Sequence, residues 1–445
     1  MIKELRDGLI LRSLSEGVAS DRENMGQFYT DVFTEFGDED AETFVAWMAD
    51  LLSDAHPTTS LDDFWVVVDP SKNDQIVSAV LYIPQVWQME GVEIPTGRVE
   101  LVATDKAYRR RGLIRELMNA AHQRGDELGH LMQGITGIEH YYRRFGYAMA
   151  VDLGSDTFLP ITSIPKLKND QKQRYTLRSA KTTDIPNLLI WELHDYLNCN
   201  LTVKYDEAIW DYEINHRTPE TPMHIQVYII ANENNEDIGF VVLHMDHYYP
   251  KISIHQYIVG DESSYLDTYD DVLREIKRIS DAYYADAEAD KHPTRLVFEN
   301  GVSPAIKALV HKTEGGLIRD RNYAWYIRVP DIPALMKHIA PVLERRLKGS
   351  GANRYTGEFK ISFHTLQGLK MIFKDGQLTD VVIEGMAQYD GDTAMPFDTF
   401  LNVLFGHRTW EELNYVLPDV YANRKAHILL EALFPKMRSQ VLGLA

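Results

Sequence analysis

The 445-residue chain has one cysteine, Cys199. No internal disulfide can form, and a zinc site built from cysteines is excluded. No apolar run approaches the roughly 18 residues that cross a bilayer, and the N-terminal MIKELRDGLI has no secretory pattern. A soluble, cytoplasmic protein with no membrane partner is expected, its lone thiol buried or half-buried. Positive charge is scarce as well: 46 Lys and Arg stand against 66 Asp and Glu, a formal charge of −20. This balance argues against nucleic acid as the main partner and mildly favours cationic ligands. Neither a Gly-x-Ser-x-Gly elbow nor a His-Glu-x-x-His helix occurs, so those hydrolase and metalloprotease chemistries have no motif. His244 and His247 stand three apart without a third ligand near them in sequence, and no metal is expected.

What is present is a core-forming chain, 44% hydrophobic, long enough for about two to four domains. Its most informative stretch runs from Val99 to Tyr147. Val99-Glu100-Leu101-Val102-Ala103 suits a buried strand, and from Gly112 the apolar residues Leu113, Ile114, Leu117, Met118 and Ala121 recur at helical spacing. Between them lies Arg109-Arg110-Arg111-Gly112. A loop that leaves a strand, carries three arginines and starts a helix is built to hold phosphate. The first-turn N–H groups have no internal acceptor, the helix dipole favours an anion, Gly112 admits a close approach, and the arginines supply charge-assisted donors. A solvated basic turn before a surface helix is the plainer alternative. After a second apolar strand at Leu131-Met132 come Gly134, Gly137 and Tyr141-Tyr142-Arg143-Arg144-Phe145-Gly146-Tyr147.

The run VATDKAYRRRGLIRELM is similar to the acetyl-CoA loop of the GNAT N-acetyltransferases, Arg/Gln-x-x-Gly-x-Gly/Ala, with Arg109 first, Gly112 fourth and Ile114 departing at the last position. The Tyr141–Tyr147 run resembles the Tyr-x-Arg-Phe-Gly-Tyr segment of the Eis (enhanced intracellular survival) branch of that superfamily. The resemblance implies acetyl-CoA as co-substrate and no metal. Backbone groups of Val102, Ala103 and Thr104 would bind the pantetheine arm as an added strand, and one N–H would polarise the thioester carbonyl. Arg109, Arg110, Arg111, Gly112 and Leu113 would surround the pyrophosphate. By the same resemblance Tyr142 protonates the leaving thiolate and the chain-terminal carboxylate, here that of Ala445, is the base. Glu100 is the alternative base, since many GNAT enzymes place a glutamate on this strand. Glu100 as a strand-edge charge and Tyr142 as a packed aromatic are the structural readings beside these.

The rest of the pattern predicts an α/β (α+β) protein with mixed twisted sheets. A strand at Leu9–Leu14, helices over Asp21–Phe36 and Ala41–Leu52 and a hairpin of Asp62–Asp69 with Ile76–Ile83 precede the Val99 strand. Residues 1–155 are expected to form the catalytic GNAT domain. After a loop with Pro160, Pro165 and KLKNDQK, residues 174–325 echo the layout. Where the first domain has arginines, this one has Gly260-Asp261-Glu262-Ser263-Ser264, so a degenerate GNAT-like domain without cofactor is expected, an unrelated α/β domain being the alternative. Residues 326–445, with a helix over Ile332–Leu347 and a hairpin turning at Asp375-Gly376, resemble the sterol-carrier-protein-like domain that ends Eis-type chains. The charges Glu344, Arg345, Arg346 and Lys348 read as a solvated face. The implied function is acetyl transfer to a cationic amine, aminoglycoside or polyamine-like, with lysine side chains as a further acceptor and a homo-oligomer, a hexamer by resemblance, as the assembly. The rival of another class is a non-catalytic acetyl-CoA sensor or apolar-ligand-binding protein.

Overall fold

The computed structural model describes residues 2–35, 41–153, 157–168, 170–245, 251–288, 291–299, 302–317 and 323–442. The first sheet begins with β1 (Lys3–Glu4), β2 (Ile10–Ser13) and β3 (Phe64–Asp69), and β3 is buried at every position. A long hairpin of β4 (Gln75–Met89) and β5 (Val92–Thr104) follows, turning at Glu90-Gly91, where both residues have positive φ. Alternation along β4 divides the core. Leu81 and Ile83 face α1 (Ala19–Thr34) and α2 (Phe44–Leu51), packing with Met25, Tyr29 and Trp47. Val80 and Tyr82 face the other way, against Leu117, Met118 and Ala121 of α3 (Leu113–Glu127). Strands β6 (Met132–Ile135) and β7 (Ala148–Leu153) continue the sheet.

The expected linker contains β8 (Thr157–Pro160), which belongs to the second sheet together with β9 (Thr176–Ser179), β11 (Gln226–Ala231), β12 (Asp237–Met245), β13 (Ile252–Val259) and β14 (Arg295–Phe298), in the order β8-β14-β13-β12-β11-β9. Strand β10 (Thr202–Val203) instead joins β4, pairing Thr202 with Gln88. Helices α4 (Ile185–Tyr196), α5 (Glu207–Asn215), α6 (Tyr265–Tyr283) and α7 (Pro304–Lys312) belong to this region. The chain then returns: β15 (Tyr323–Arg328) inserts between β6 and β7 of the first sheet, antiparallel to both. The two sheets therefore each contain a strand from the other's stretch of sequence.

The C-terminal region has α8 (Ile332–His338), α9 (Ala340–Lys348), β16 (Gly357–Ser362), β17 (Gln367–Lys374), β18 (Gln377–Gly385), β19 (Thr393–Ala394), α10 (Phe397–Leu404), α11 (Trp410–Val416), β20 (Tyr421–Ala422) and α12 (Arg424–Leu433), the strands forming a third sheet. The single helix expected over 332–347 is two, divided at Ile339. Pro341 in the first turn of α9 cannot donate to the preceding turn and crowds its carbonyl. Asp375 and Gly376 turn the β17–β18 hairpin with φ of 52° and 82°. Arg346 corrects the solvated-face reading: its side chain is 7% exposed, donates to Leu433 O and Asn200 Oδ1, and pairs at 2.7 Å with Glu90 at the hairpin tip. One continuous hydrophobic cluster links Trp87 and Trp325 of the first sheet, Trp210 and Phe240 of the second region, and Leu343, Phe359 and Phe400 of the third.

Candidate active site

The site begins at a defect in the hairpin. Ala103 pairs with Ala79 and Glu100 with Leu81, so three residues on β5 span two on β4. Leu101 takes φ 52° to absorb the extra residue. Such a bulge bends a strand and increases its twist. The parallel pairing of β5 with β6 runs from Thr96–Met132 to Val99–Ile135 and stops there. Beyond it, residues 100–104 keep β4 on one side and turn an open edge to the other, next to the loop that leaves β6.

That wedge is a cavity of about 380 Å³ lined by Val102, Ala103, Thr104, Arg109, Arg110, Gly112 and Leu113, with Tyr142 on its far wall. Seven of the expected cofactor-binding residues and the expected acid are thus brought together. The backbone carries the loop into position: Arg110 and Gly112 have φ of 64° and 83°, Gly112 serving as the N-cap residue of α3, where a Cβ would meet nothing within 4 Å. The start of a 15-residue helix, Gly112 to Arg115, lines this concavity, and the first N–H groups of a helix lack the usual i−4 acceptor. Arg109 is tied down by donating its Nε–H to Thr104 O at 3.2 Å and lies 3.7 Å from Glu35. Arg111 turns away, donating to Ala107 O at 3.2 Å and lying over the Tyr108 ring at 4.8 Å. Tyr108 in turn donates to Asp69 Oδ2 at 2.6 Å, which anchors the loop to β3.

Residues not assigned from the sequence complete the wall: Phe33, Tyr108, Ile114, Arg115, Ile138, Tyr141, Arg144 and Phe145. Arg144 lies over the Tyr141 ring at 4.9 Å. Arg144 and Phe145 stood within the quoted motif, whereas nothing in the pattern of α1 distinguishes Phe33 from an ordinary core residue.

Tyr142 is 5% exposed. Burial first, then the Glu100 carboxylate, push its hydroxyl well above the usual tyrosine range. It therefore stays protonated at neutral pH, as a proton donor must. Glu100 lies outside the lining, on the α1–α2 face, where Arg98 donates Nε–H to it at 2.7 Å. Arg98 itself stacks over Trp325 at 5.1 Å. The Glu100 carboxylate is thus tied through Arg98 to Trp325 and stands outside the cavity that holds Tyr142.

Ala445 lies outside the described residues. The described tail does have a direction: Asn200 N–H donates to Arg438 O, Gln440 N–H donates to Leu201 O, and Gln440 bridges Thr202 in parallel. Since β10 runs antiparallel to β4, the tail up to Leu442 heads along β4 toward Leu81, the partner of Glu100.

Cys199 is buried, and burial pushes its thiol up to about 12, which makes it inert. Of the two histidines considered as a metal pair, His244 stands 6.0 Å from the His255 ring, and His247 lies outside the described residues. Among the described residues, Glu411, His427 and Glu431 bring three ligand atoms within 4.8 Å of one another. None of them lines the cavity.

Residues 19–150 match the family model described as an acetyltransferase (GNAT) domain. The fold is similar to the GCN5-related N-acetyltransferase of Anabaena variabilis ATCC 29413, with TM-score 0.66, 13% identity, and 97% of this chain and 99% of that one covered. It is similar also to the GCN5-related N-acetyltransferase of Kribbella flavida (TM-score 0.64, 14% identity, 98% and 100% covered) and to Eis1 of Mycobacterium abscessus (TM-score 0.61, 13% identity, 98% and 99% covered). No curated protein matches the sequence. The chain therefore carries an acetyltransferase (GNAT) domain at residues 19–150, within a fold that it shares over nearly its whole length with GCN5-related N-acetyltransferases.

Proposed function

We propose that the protein transfers an acetyl group from acetyl-CoA to a cationic amine of the aminoglycoside or polyamine type, with protein lysine side chains as a further acceptor class. The observation that carries the reading is one cavity holding both an arginine-flanked helix start and the protonated Tyr142. GNAT domains use acetyl-CoA as co-substrate, and the residues present fit it. Arg109, Arg110 and the first N–H groups of α3 would hold the pyrophosphate, and the open β5 edge at Val102–Thr104 would bind the pantetheine amides as an added strand.

Each side chain then has a task. An N–H of the β5 edge polarises the thioester carbonyl. The neutral amine nitrogen bonds to the carbonyl carbon, the C–S bond breaks, the Tyr142 hydroxyl gives its proton to the departing sulfur, and the proton shed by the nitrogen returns through water to the Tyr142 phenolate. An ordinary alkyl ammonium at pH 7 must first lose a proton, at a cost of roughly 4–5 kcal/mol. A base is therefore useful. The terminal carboxylate of Ala445 is our first candidate on the direction of the tail, with Glu100 through its Arg98 pair the second. The net charge of −20 supports a cationic rather than an anionic acceptor. So does the neighbouring cavity of about 380 Å³, where Asp31, Glu35 and Asp105 face Lys72.

In this reading residues 174–325 are a degenerate second GNAT-like domain. The acidic Asp261-Glu262 before α6 repels phosphate, and the pairing of β10 and β15 within the first sheet supports a scaffold role. Residues 326–445 are read as sterol-carrier-protein-like, and the assembly as a homo-oligomer.

The test is release of free CoA thiol from acetyl-CoA across a panel of polycationic amines, by the full chain and by a form lacking residues 443–445. Amine-dependent release that collapses on the deletion supports both the activity and the terminal base. Release that survives it moves the base to Glu100 or water. No release with any amine, despite measurable acetyl-CoA binding, would support the sensor reading instead.

A further inference from the structure

The turn that carries Tyr142 is held by a strand from the far end of the second region. Gly137 and His140 both take positive φ, 116° and 67°, and His140 is the N-cap residue of the 3-10 turn Tyr141–Phe145. A histidine in that conformation is disfavoured unless something fixes it. Here the fixing groups are tyrosine hydroxyls of β15. Tyr326 accepts the His140 N–H and donates to Ile138 O at 3.5 Å, while Tyr323 donates to Gly137 O. Tyr326 is fully buried, and its ring meets the Tyr142 ring edge-on with centroids 5.7 Å apart. Gly137 leaves room on the other side, since a Cβ there would stand 3.5 Å from Tyr142 Cε2.

From this geometry we infer that Tyr326 is a positioning residue for Tyr142, setting the turn so that the Tyr142 hydroxyl faces the cavity; the inference rests on Tyr142 as the proton donor. The hydroxyl joins residues 186 apart in sequence, so the order of the active-site turn depends on β15 being seated between β6 and β7. Tyr323 supports the same loop from the more exposed end of the strand.

A double-mutant cycle on the full chain tests it. Tyr326→Phe keeps the ring and removes only the hydroxyl. It is expected to lower kcat for amine acetylation by about 10- to 100-fold, because a catalytic group displaced by about 1 Å loses on that order. Acetyl-CoA affinity should stay within about twofold of the parent. The Tyr142→Phe/Tyr326→Phe double variant should be no slower than Tyr142→Phe alone, because Tyr326 acts only through Tyr142. Hydrogen exchange of the peptide spanning residues 136–142 should accelerate in Tyr326→Phe and, to a smaller extent, in Tyr323→Phe. Unchanged kcat and exchange in Tyr326→Phe, or losses that multiply in the double variant, would overturn the inference. If Tyr142→Phe alone retains full activity, the proton-donor reading fails and the positioning role falls with it, while accelerated exchange would still report the tether.

Discussion

Glu192 illustrates at the scale of one side chain how burial and bonding compete. It is 2% exposed on α4, and it accepts from Trp210 Nε1 at 2.9 Å, from Gln256 Nε2 at 3.0 Å and from the Tyr196 hydroxyl. Burial outweighs these bonds and raises its carboxyl to about 7. The folded protein thus holds this proton more tightly than the unfolded chain, whose pKa is about 4.3. Its contribution favours the fold at acid pH and is lost as pH climbs from about 4.3 to 7, by on the order of 3 kcal/mol. Glu192→Gln keeps acceptor capacity without the charge. It should therefore raise the melting temperature at pH 8 and converge with the parent toward pH 5; an equal shift at both pH values would contradict this. The same scale decides what could be read from sequence at the active site. Arg109, Gly112 and Tyr142 were legible because each sits in a local motif whose spacing carries its chemistry. Arg98 and Tyr326 were not, since one matters through a bulge at Leu101 and the other through a contact 186 residues distant.

Among the elements, the β4–β5 hairpin does most to shape the site, and it was only partly legible. Its central apolar runs were evident. Its length was not: the runs end at Ile83 and resume at Val99, and Pro84, Pro95 and Gly97, which weaken a strand pattern, lie in the stretch between them. Gly97 is there for space: a Cβ would lie 1.9 Å from the Tyr82 ring and hydroxyl. Tyr82 cannot yield easily, being fully buried, stacked on His130 and hydrogen-bonded to its Nδ1 at 2.7 Å. Gly97→Ala is predicted to cost about 2–3 kcal/mol through overpacking, read as a lower urea midpoint. A variant as stable as the parent would show that the strand shifts freely. The bulge has no sequence signature either. Leu101 is a β-branch-free apolar residue in an apolar run, and its positive φ follows from tertiary register rather than local preference.

Across the whole molecule the chain is organised by exchange between sheets. β8 leaves the first region for the second sheet, and β15 comes back to close the first. A sequence pattern shows that strands exist but not which sheet receives them, so these crossings lay beyond it. Arg346 locks the third region to the tip of the long hairpin through Glu90 and Asn200. Its own burial disfavours the charge, and Glu90 offsets part of that effect. Arg346→Ala would leave the half-buried Glu90 with only Arg345, 3.7 Å away, in place of the closer pair, at about 3 kcal/mol. The expected result is a clear fall in melting temperature, and Arg346→Ala together with Glu90→Ala should recover part of it. A single variant that melts with the parent would mean that the apolar cluster alone joins the regions.

In the proposed reaction one cavity divides its labour, Arg109 and the α3 start holding the cofactor while Tyr142 serves the transfer. The direct measurement is acetyl-CoA affinity by calorimetry beside amine-dependent turnover, for the parent, Arg109→Ala and Tyr142→Phe. A split between the two variants is expected. Arg109→Ala should weaken acetyl-CoA binding by about 10-fold or more through loss of a charge-assisted donor, with much of kcat retained at saturation. Tyr142→Phe should bind acetyl-CoA as the parent does and lose about 100-fold or more in kcat. Turnover unaffected in both variants, or affinity lost equally in both, would mean that the cavity is not divided in this way.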